Sequence, residues 1–233
     1  YQQYLEEAAI QASAAAGLGP AWYSQRGSVW VIREITLEYL HPATLDDELE
    51  ICTWVSDFRR VRSHREYIIS RVSDGRALVR ATTDWVYIDR QKLWPIRIPA
   101  EALEAFAIRE GCHAVSPARP TPPAPAAVEW RVRRRVQRHE IDGMGHVNNA
   151  NYVTWFEQAM LDGLAKHAPA VAQNGWPCWR RHNIEYVSAM LPDEEVEIVT
   201  RLTGLGRART AWHQEARRPG SADAAVADHS IVL

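Results

Sequence analysis

Cysteine is scarce in this sequence, and what there is follows no pattern: Cys52, Cys112 and Cys178 are the only three. An odd number at wide spacings, with no C-x-x-C pair, argues against a disulfide framework and points to a reducing compartment, taken here as the cytoplasm. Net charge is nearly absent as well. A formal balance of −2 offers nucleic acid no global attraction. No apolar run approaches the length of a membrane span, so no membrane partner is expected. The chain opens at Tyr1 rather than Met, so the lack of a targeting segment here excludes none.

What is present is enough apolar residue, 46% of 233, to bury one large core or two small ones. Tyr1 to Ala16 reads as a helix with Leu5, Ala8, Ala9 and Ala12 on one side and Glu6 and Glu7 toward solvent. The same residue types return in Tyr152 to Ala159. Glu38-Tyr39 returns as Glu185-Tyr186, Asp46 to Ile51 as Asp193 to Ile198, and Arg60 to Ser63 as Arg207 to Thr210. Two copies of one helix-then-strands unit account for this spacing.

Strand patterns follow each helix: Val29 to Tyr39, Leu49 to Val55, Arg65 to Val72 and Ala77 to Ile88, then Cys178 to Val187, Val196 to Leu202, Arg209 to Ala216 and Ala222 to Leu233. Ser73-Asp74-Gly75 and Arg217-Arg218-Pro219-Gly220 are turn signals, and the short connections predict antiparallel sheets. Pro99 to Glu110 reads as a short helix with Gly111 past its end. Ser116 to Ala127 carries five prolines and predicts a stiff tether. The expected division is 1–98, a linker over 99–127, and 128–233.

The stretch from Ile141 to Tyr152 concentrates the chemistry. An acidic residue, a Gly-bearing turn and a His-Val-Asn-Asn step precede a helix whose apolar face is Val153, Phe156, Met160 and Leu164. Asn148 or Asn149 caps the first turn. Bare N–H groups and the positive end of the helix dipole favour negative charge developing on a carbonyl, and Gly145 lets that carbonyl approach the backbone. Asp142, four residues before His146, is the candidate general base or nucleophile.

Asp142-x-x-Gly145-His146-Val147-Asn148-Asn149-x-x-Tyr152, followed by Trp155-Phe156-Glu157, resembles the signature of the hotdog-fold thioesterases, and most of all the acyl-ACP thioesterases and the 4-hydroxybenzoyl-CoA-like acyl-CoA thioesterases. The segment Thr83 to Pro99 is similar to the end of the first hotdog in the former. The resemblance implies an α+β fold of two tandem hotdog units, each a long helix wrapped by a curved antiparallel sheet, the first lacking its N-terminal strand in this chain. It implies a pseudo-dimeric arrangement able to associate further as a homodimer, and an acyl-ACP or acyl-CoA substrate hydrolysed without metal or cofactor. Asp142 and His146 would be catalytic, and Gly145, Val147, Asn148, Asn149, Tyr152 and Glu157 would bind substrate, with N–H groups of Gly145 to Asn148 polarising the carbonyl. The chain departs from the plant-type pattern in two places. Met144 stands where Asn is usual, and Ala189-Met190 where a polar or thiol residue is expected, which favours a reduced mechanism of Asp plus helix.

Each of these residues also has a plainer reading. Asp142 can close a turn, His146 can pack or bond to backbone, Asn148 and Asn149 can serve only as caps, Tyr152, Trp155 and Phe156 can be core, and Glu157 can be a surface group. His139, Glu140, Asp142 and His146 match no zinc spacing, His139 being assigned to the preceding strand. In Arg131 to Arg138, alternation places Arg131, Arg133 and Arg135 on one strand face, giving either a solvated or edge-protecting strand or a landing surface for an acidic carrier protein or the phosphates of coenzyme A. A second functional class, a non-catalytic acyl-thioester sensor on the same fold, differs only in binding without release of thiol.

Overall fold

In the computed structural model, residues 1–115, 128–169 and 177–233 are described, and they form two compact units that divide at Pro117/Ala118. The tether expected over Ser116 to Ala127 lies outside the described residues. In the first unit, helix α1 (Gln2–Ala15) buries Leu5 and Ala9. Helix α2 (Pro20–Arg26) has its proline at the first helical position, where a missing N–H costs nothing. Four strands follow: β1 (Ser28–Tyr39), β2 (Leu49–Arg59), β3 (Arg62–Arg71) and β4 (Ala77–Asp89). They pair antiparallel in the order β2-β3-β4-β1, with α3 (Ala100–Glu104) after them.

The second unit begins with a strand, β5 (Val128–Arg135), then a 3-10 turn at Arg138–Glu140 and helix α4 (Asn149–His167). Strands β6 (Trp179–Tyr186), β7 (Glu195–Leu205), β8 (Thr210–Arg217) and β9 (Val226–Val232) complete it, in the antiparallel order β6-β9-β8-β7-β5. His139 therefore sits in the 3-10 turn and not in the preceding strand. Gln137 and Glu140 cap that turn reciprocally, which ends β5 before His139.

The repeat seen in the sequence extends to backbone detail. Asp46 and Asp193 both take positive φ, 67° and 64°. The acid one residue later closes an ionic staple in each unit. Asp47 accepts from the Thr44 N–H at 2.7 Å and from Arg71 at 2.9 Å. Glu194 accepts from the Leu191 N–H at 2.9 Å and from Arg218 at 3.0 Å. The register shifts also recur, at Ile32/Glu34 and Trp179/Arg181, and at Val55/Asp57 and Leu202/Gly204. Bulges at matched positions add local twist and bend each sheet at the same places.

The helix expected over Pro99 to Glu110 stops at Glu104. Beyond it the chain runs along the edge strand β2, where Ile108 bridges Val55 in parallel and the Arg109 N–H donates to the Val55 carbonyl at 2.9 Å. The Trp54 indole donates to the Cys112 carbonyl at 2.8 Å, and the buried Glu66 carboxylate accepts the Ala114 N–H at 3.0 Å. Open backbone groups on an edge strand recruit this segment, which covers part of an edge otherwise free to pair with another chain.

In the second unit α4 packs on its sheet through Tyr152, Val153, Trp155, Phe156, Ala159 and Met160. The Trp130 indole donates to the Ala159 carbonyl at 2.8 Å and lies so close to Gly163 that a Cβ there would fall 1.9 Å from the ring. Gly163→Ala should therefore cost about 2 kcal/mol, since the ring must leave its hydrogen bond or the helix must shift. A urea titration reads this as a lower midpoint.

Candidate active site

The chain reaches the site through Glu140, whose side chain is buried. Its carboxylate accepts from the Trp155 indole at 2.8 Å, from the Gln137 N–H at 2.8 Å and from Arg134 at 2.5 Å. Its carbonyl accepts the Asn148 N–H and the Asn151 side-chain amide, both at 2.9 Å. One residue thus fixes the entry to the loop and the start of α4 together. Removing it in Glu140→Ala strands the indole N–H and the half-buried Arg134, an expected loss of roughly 2 kcal/mol. The denaturation midpoint would report it.

Between those anchors Ile141 and Val147 pair as an isolated bridge, and Gly145 turns the loop with φ +83°. The Asp142 N–H donates to the His146 carbonyl at 2.9 Å, and the Gly145 N–H donates back to the Asp142 carbonyl at 3.0 Å. The two candidate catalytic residues are thereby held face to face at the loop's neck. Asp142 Oδ1 accepts the Met144 N–H at 2.8 Å, and Oδ2 lies 3.3 Å from His146 Nδ1. Both side chains remain partly open, at 19% and 25% of their full exposure.

The backbone donors differ from those expected. Among Gly145 to Asn148, three N–H groups are already engaged: Gly145 with Asp142, Val147 with the Met190 carbonyl at 3.0 Å, and Asn148 with Glu140. Asn148 caps the helix by accepting the Ala150 N–H at 2.9 Å. Among the described residues, the N–H groups of His146 and Asn149 are left without an acceptor, and Asn149 opens α4. The loop's own turn and bridge consume the others, because a short closed loop must satisfy its backbone internally.

Tyr152 belongs to the core rather than to a substrate surface, being 1% exposed. Its phenolic oxygen accepts the Met190 N–H at 3.2 Å, and burial pushes its pKa up to about 12. Tyr186 packs edge-on against it and donates to the Asn149 carbonyl at 3.1 Å, adding a second clamp on the first turn of α4. Trp155 and Phe156 are likewise buried.

Glu157 is neither a plain surface group nor isolated. Its carboxylate stands 3.6 Å from Nε2 of His182 on β6, an ion-pair contact longer than a hydrogen bond. His182 Nδ1 is 2.7 Å from Asp228 Oδ2 on β9, and Asp228 Oδ1 accepts the Asn183 N–H at 3.1 Å. His182 and Asp228 are fully buried. Burial alone would push the imidazole down, but the Asp228 charge and hydrogen bond, with Glu157 beyond, raise it to about 9. Neither His182 nor Asp228 was singled out from the sequence, although each occupies the inward phase of its strand. His182 alternates with Ile184 and Tyr186, and Asp228 with Val226, Ser230 and Val232.

The basic run in β5 is largely neutralised. Arg131 meets Glu129 at 2.9 Å and Glu197 at 3.5 Å, Arg133 meets Glu197 at 3.5 Å, and Arg134 is held by Glu140. These pairs fit the solvated, edge-protecting strand, while Arg135 has no ion pair among the described residues.

Comparison with known proteins matches residues 2–106 to the acyl-ACP thioesterase N-terminal domain and residues 144–225 to the thioesterase superfamily. A chloroplastic acyl-[acyl-carrier-protein] hydrolase of Cuphea viscosissima is 24% identical over 184 residues, covering 73% of this chain and 43% of that protein. The chain spans less than half the length of this and two other curated Cuphea relatives. Among solved structures, an acyl-ACP thioesterase from Bacteroides thetaiotaomicron superposes with a TM-score of 0.75 at 18% identity, over 100% of this chain and 88% of that one. The 12:0-ACP thioesterase from Umbellularia californica gives 0.77 at 17% identity, over 100% and 85%. The fold is the α+β double hotdog expected from the sequence.

Proposed function

For a chain related to the hotdog-fold thioesterases through both of its halves, we propose hydrolysis of an acyl thioester to the free acid and the thiol, with acyl-ACP as the first candidate substrate and acyl-CoA as the second. The observation that carries this reading is the partly open Asp142 carboxylate, held by the Met144 N–H and His146 in the loop that leads into α4, a stretch where the N–H groups of His146 and Asn149 are unspent. A thioester carbonyl accepting from the His146 and Asn149 N–H groups gains stabilisation as its oxygen becomes negative, helped by the helix dipole. Asp142 then takes a proton from water as the water oxygen attacks the carbonyl carbon. The C–S bond breaks, and the thiolate leaves and is protonated. Direct attack by the carboxylate, giving an anhydride that water opens, uses the same placement. His146 orients the water or substrate against Asp142.

The test is a panel of acyl-ACP and acyl-CoA thioesters of graded chain length, with free thiol followed over time. Multiple-turnover thiol release above the uncatalysed rate supports hydrolysis. Saturable binding of the same thioesters with no release supports the sensor and overturns the reading.

A further inference from the structure

We propose that a groove in the first unit, remote in sequence from Asp142, binds a fatty carboxylate. The groove has a volume of about 580 Å³, within the roughly 300–1,000 Å³ of small-molecule sites. It lies between the β2–β3 turn and the segment around α3. Phe58 and Ile98 belong to the unit's apolar cluster, while Leu103 and Ile108 remain 37% and 42% exposed, so the trough keeps apolar side chains in water. That exposure has a use if a hydrocarbon chain covers it.

Charge decides what kind of chain. The Ile98 N–H donates to the Arg60 carbonyl at 3.1 Å, and the Tyr87 N–H to the Val61 carbonyl at 2.8 Å, which fixes residues 60 and 97 on neighbouring stretches of the groove's lining. Arg59, also in the lining, is paired with Asp57 at 2.7 Å, and the nearby Glu101 is engaged by Arg26 at 3.0 Å. Among the described residues, Arg60 and Arg97 carry no ion pair. An apolar trough with two uncompensated guanidinium groups suits a single-chain amphiphile with an anionic head, and the planar fork of Arg matches a carboxylate two bonds at a time. A neutral lipid would leave the guanidinium groups unused. A small inorganic anion would leave the trough wet.

The inference stands apart from the hydrolase reading, since no residue of the groove is in the Asp142 site. Its test uses the full chain with labelled Ile and Leu methyl groups, titrated with decanoate, decyl phosphate and decanol while NMR follows each methyl. The expected result is saturable movement of the Ile98, Leu103 and Ile108 methyls with decanoate at least tenfold tighter than with decanol. The doubly substituted Arg60→Gln, Arg97→Gln protein, its methyl spectrum otherwise that of the folded chain, should lose at least tenfold in decanoate affinity and none for decanol. Tighter binding of decyl phosphate than decanoate would overturn the carboxylate assignment. Equal affinity for decanoate and decanol, an unaffected double variant, or still methyls at these three residues would overturn the site.

Discussion

Asp142→Asn is expected to lower thioester turnover by about two orders of magnitude or more, with the folded structure intact. The amide keeps the size of the carboxylate, and its oxygen can still accept the Met144 N–H that now holds Oδ1 at 2.8 Å. The loop's neck is made of backbone bonds between Asp142, Gly145 and His146, so its geometry does not depend on the side-chain charge. What disappears is the group that can take a proton or attack. Circular dichroism and the urea midpoint should match the parent while thiol release collapses. A folded variant with near-parental turnover would remove Asp142 from the chemistry and leave it a turn residue.

Asp228→Ala is expected to cost about 3–5 kcal/mol, the range for breaking a buried ion pair by deleting one partner. His182 has no exposure of its own, and Glu157, about a third exposed and 3.6 Å away, compensates its charge poorly alone. The pair also sets a pH dependence whose sign is fixed. The folded imidazole, at about 9, lies above its unfolded value near 6.5. The proton's contribution to stability is therefore complete below about pH 6.5, declines as pH rises toward 9, and is gone above it. From this group the parent should lose on the order of 3 kcal/mol between pH 6 and pH 10. In Asp228→Ala, burial without its partner drives the ring neutral, and that alkaline decline should vanish. Urea midpoints at pH 6, 8 and 10 for both proteins decide the matter. Parallel curves would show that His182 is not the charged group.

Local features of the chain were legible because they are written in consecutive residues. The start of α4 was readable from Asn148 and the spacing of Val153, Phe156 and Met160. The two units were readable from matched pairs such as Glu38-Tyr39 and Glu185-Tyr186. The structure extends that match to the left-handed Asp46 and Asp193 and to paired bulges, which leave no mark on hydrophobic pattern. The helical pattern past Pro99 is realised only to Glu104 because the residues beyond it meet an open strand edge, a tertiary competitor that local propensity does not register. Which N–H groups of the loop stay open is hidden from the sequence for a similar reason. Which of them are spent depends on carbonyls at Glu140 and Met190, and the latter arrives from after β6.

His182 and Asp228 were missed because they lie 46 positions apart and meet only through the β6–β9 pairing. The usable signal was phase. In Val226-Ala227-Asp228-His229-Ser230-Ile231-Val232 the carboxylate shares the inward positions with Val226 and Val232, and a charge there needs a partner inside. Glu140 hid for the opposite reason: its acidic side chain looks like a surface residue until Trp155 and Arg134 are seen to converge on it.

The N–H groups of His146 and Asn149, at the entry to α4, are proposed to polarise a thioester carbonyl beside Asp142, and the carbonyl itself can report it. A thioester carrying a 13C=O label, bound to Asp142→Asn so that turnover is slow, should show its isotope-edited carbonyl stretch moved to lower frequency than in water, as donation from the His146 and Asn149 N–H groups weakens the C=O bond. A bound thioester whose carbonyl stretch stays at or above its value in water would contradict the account.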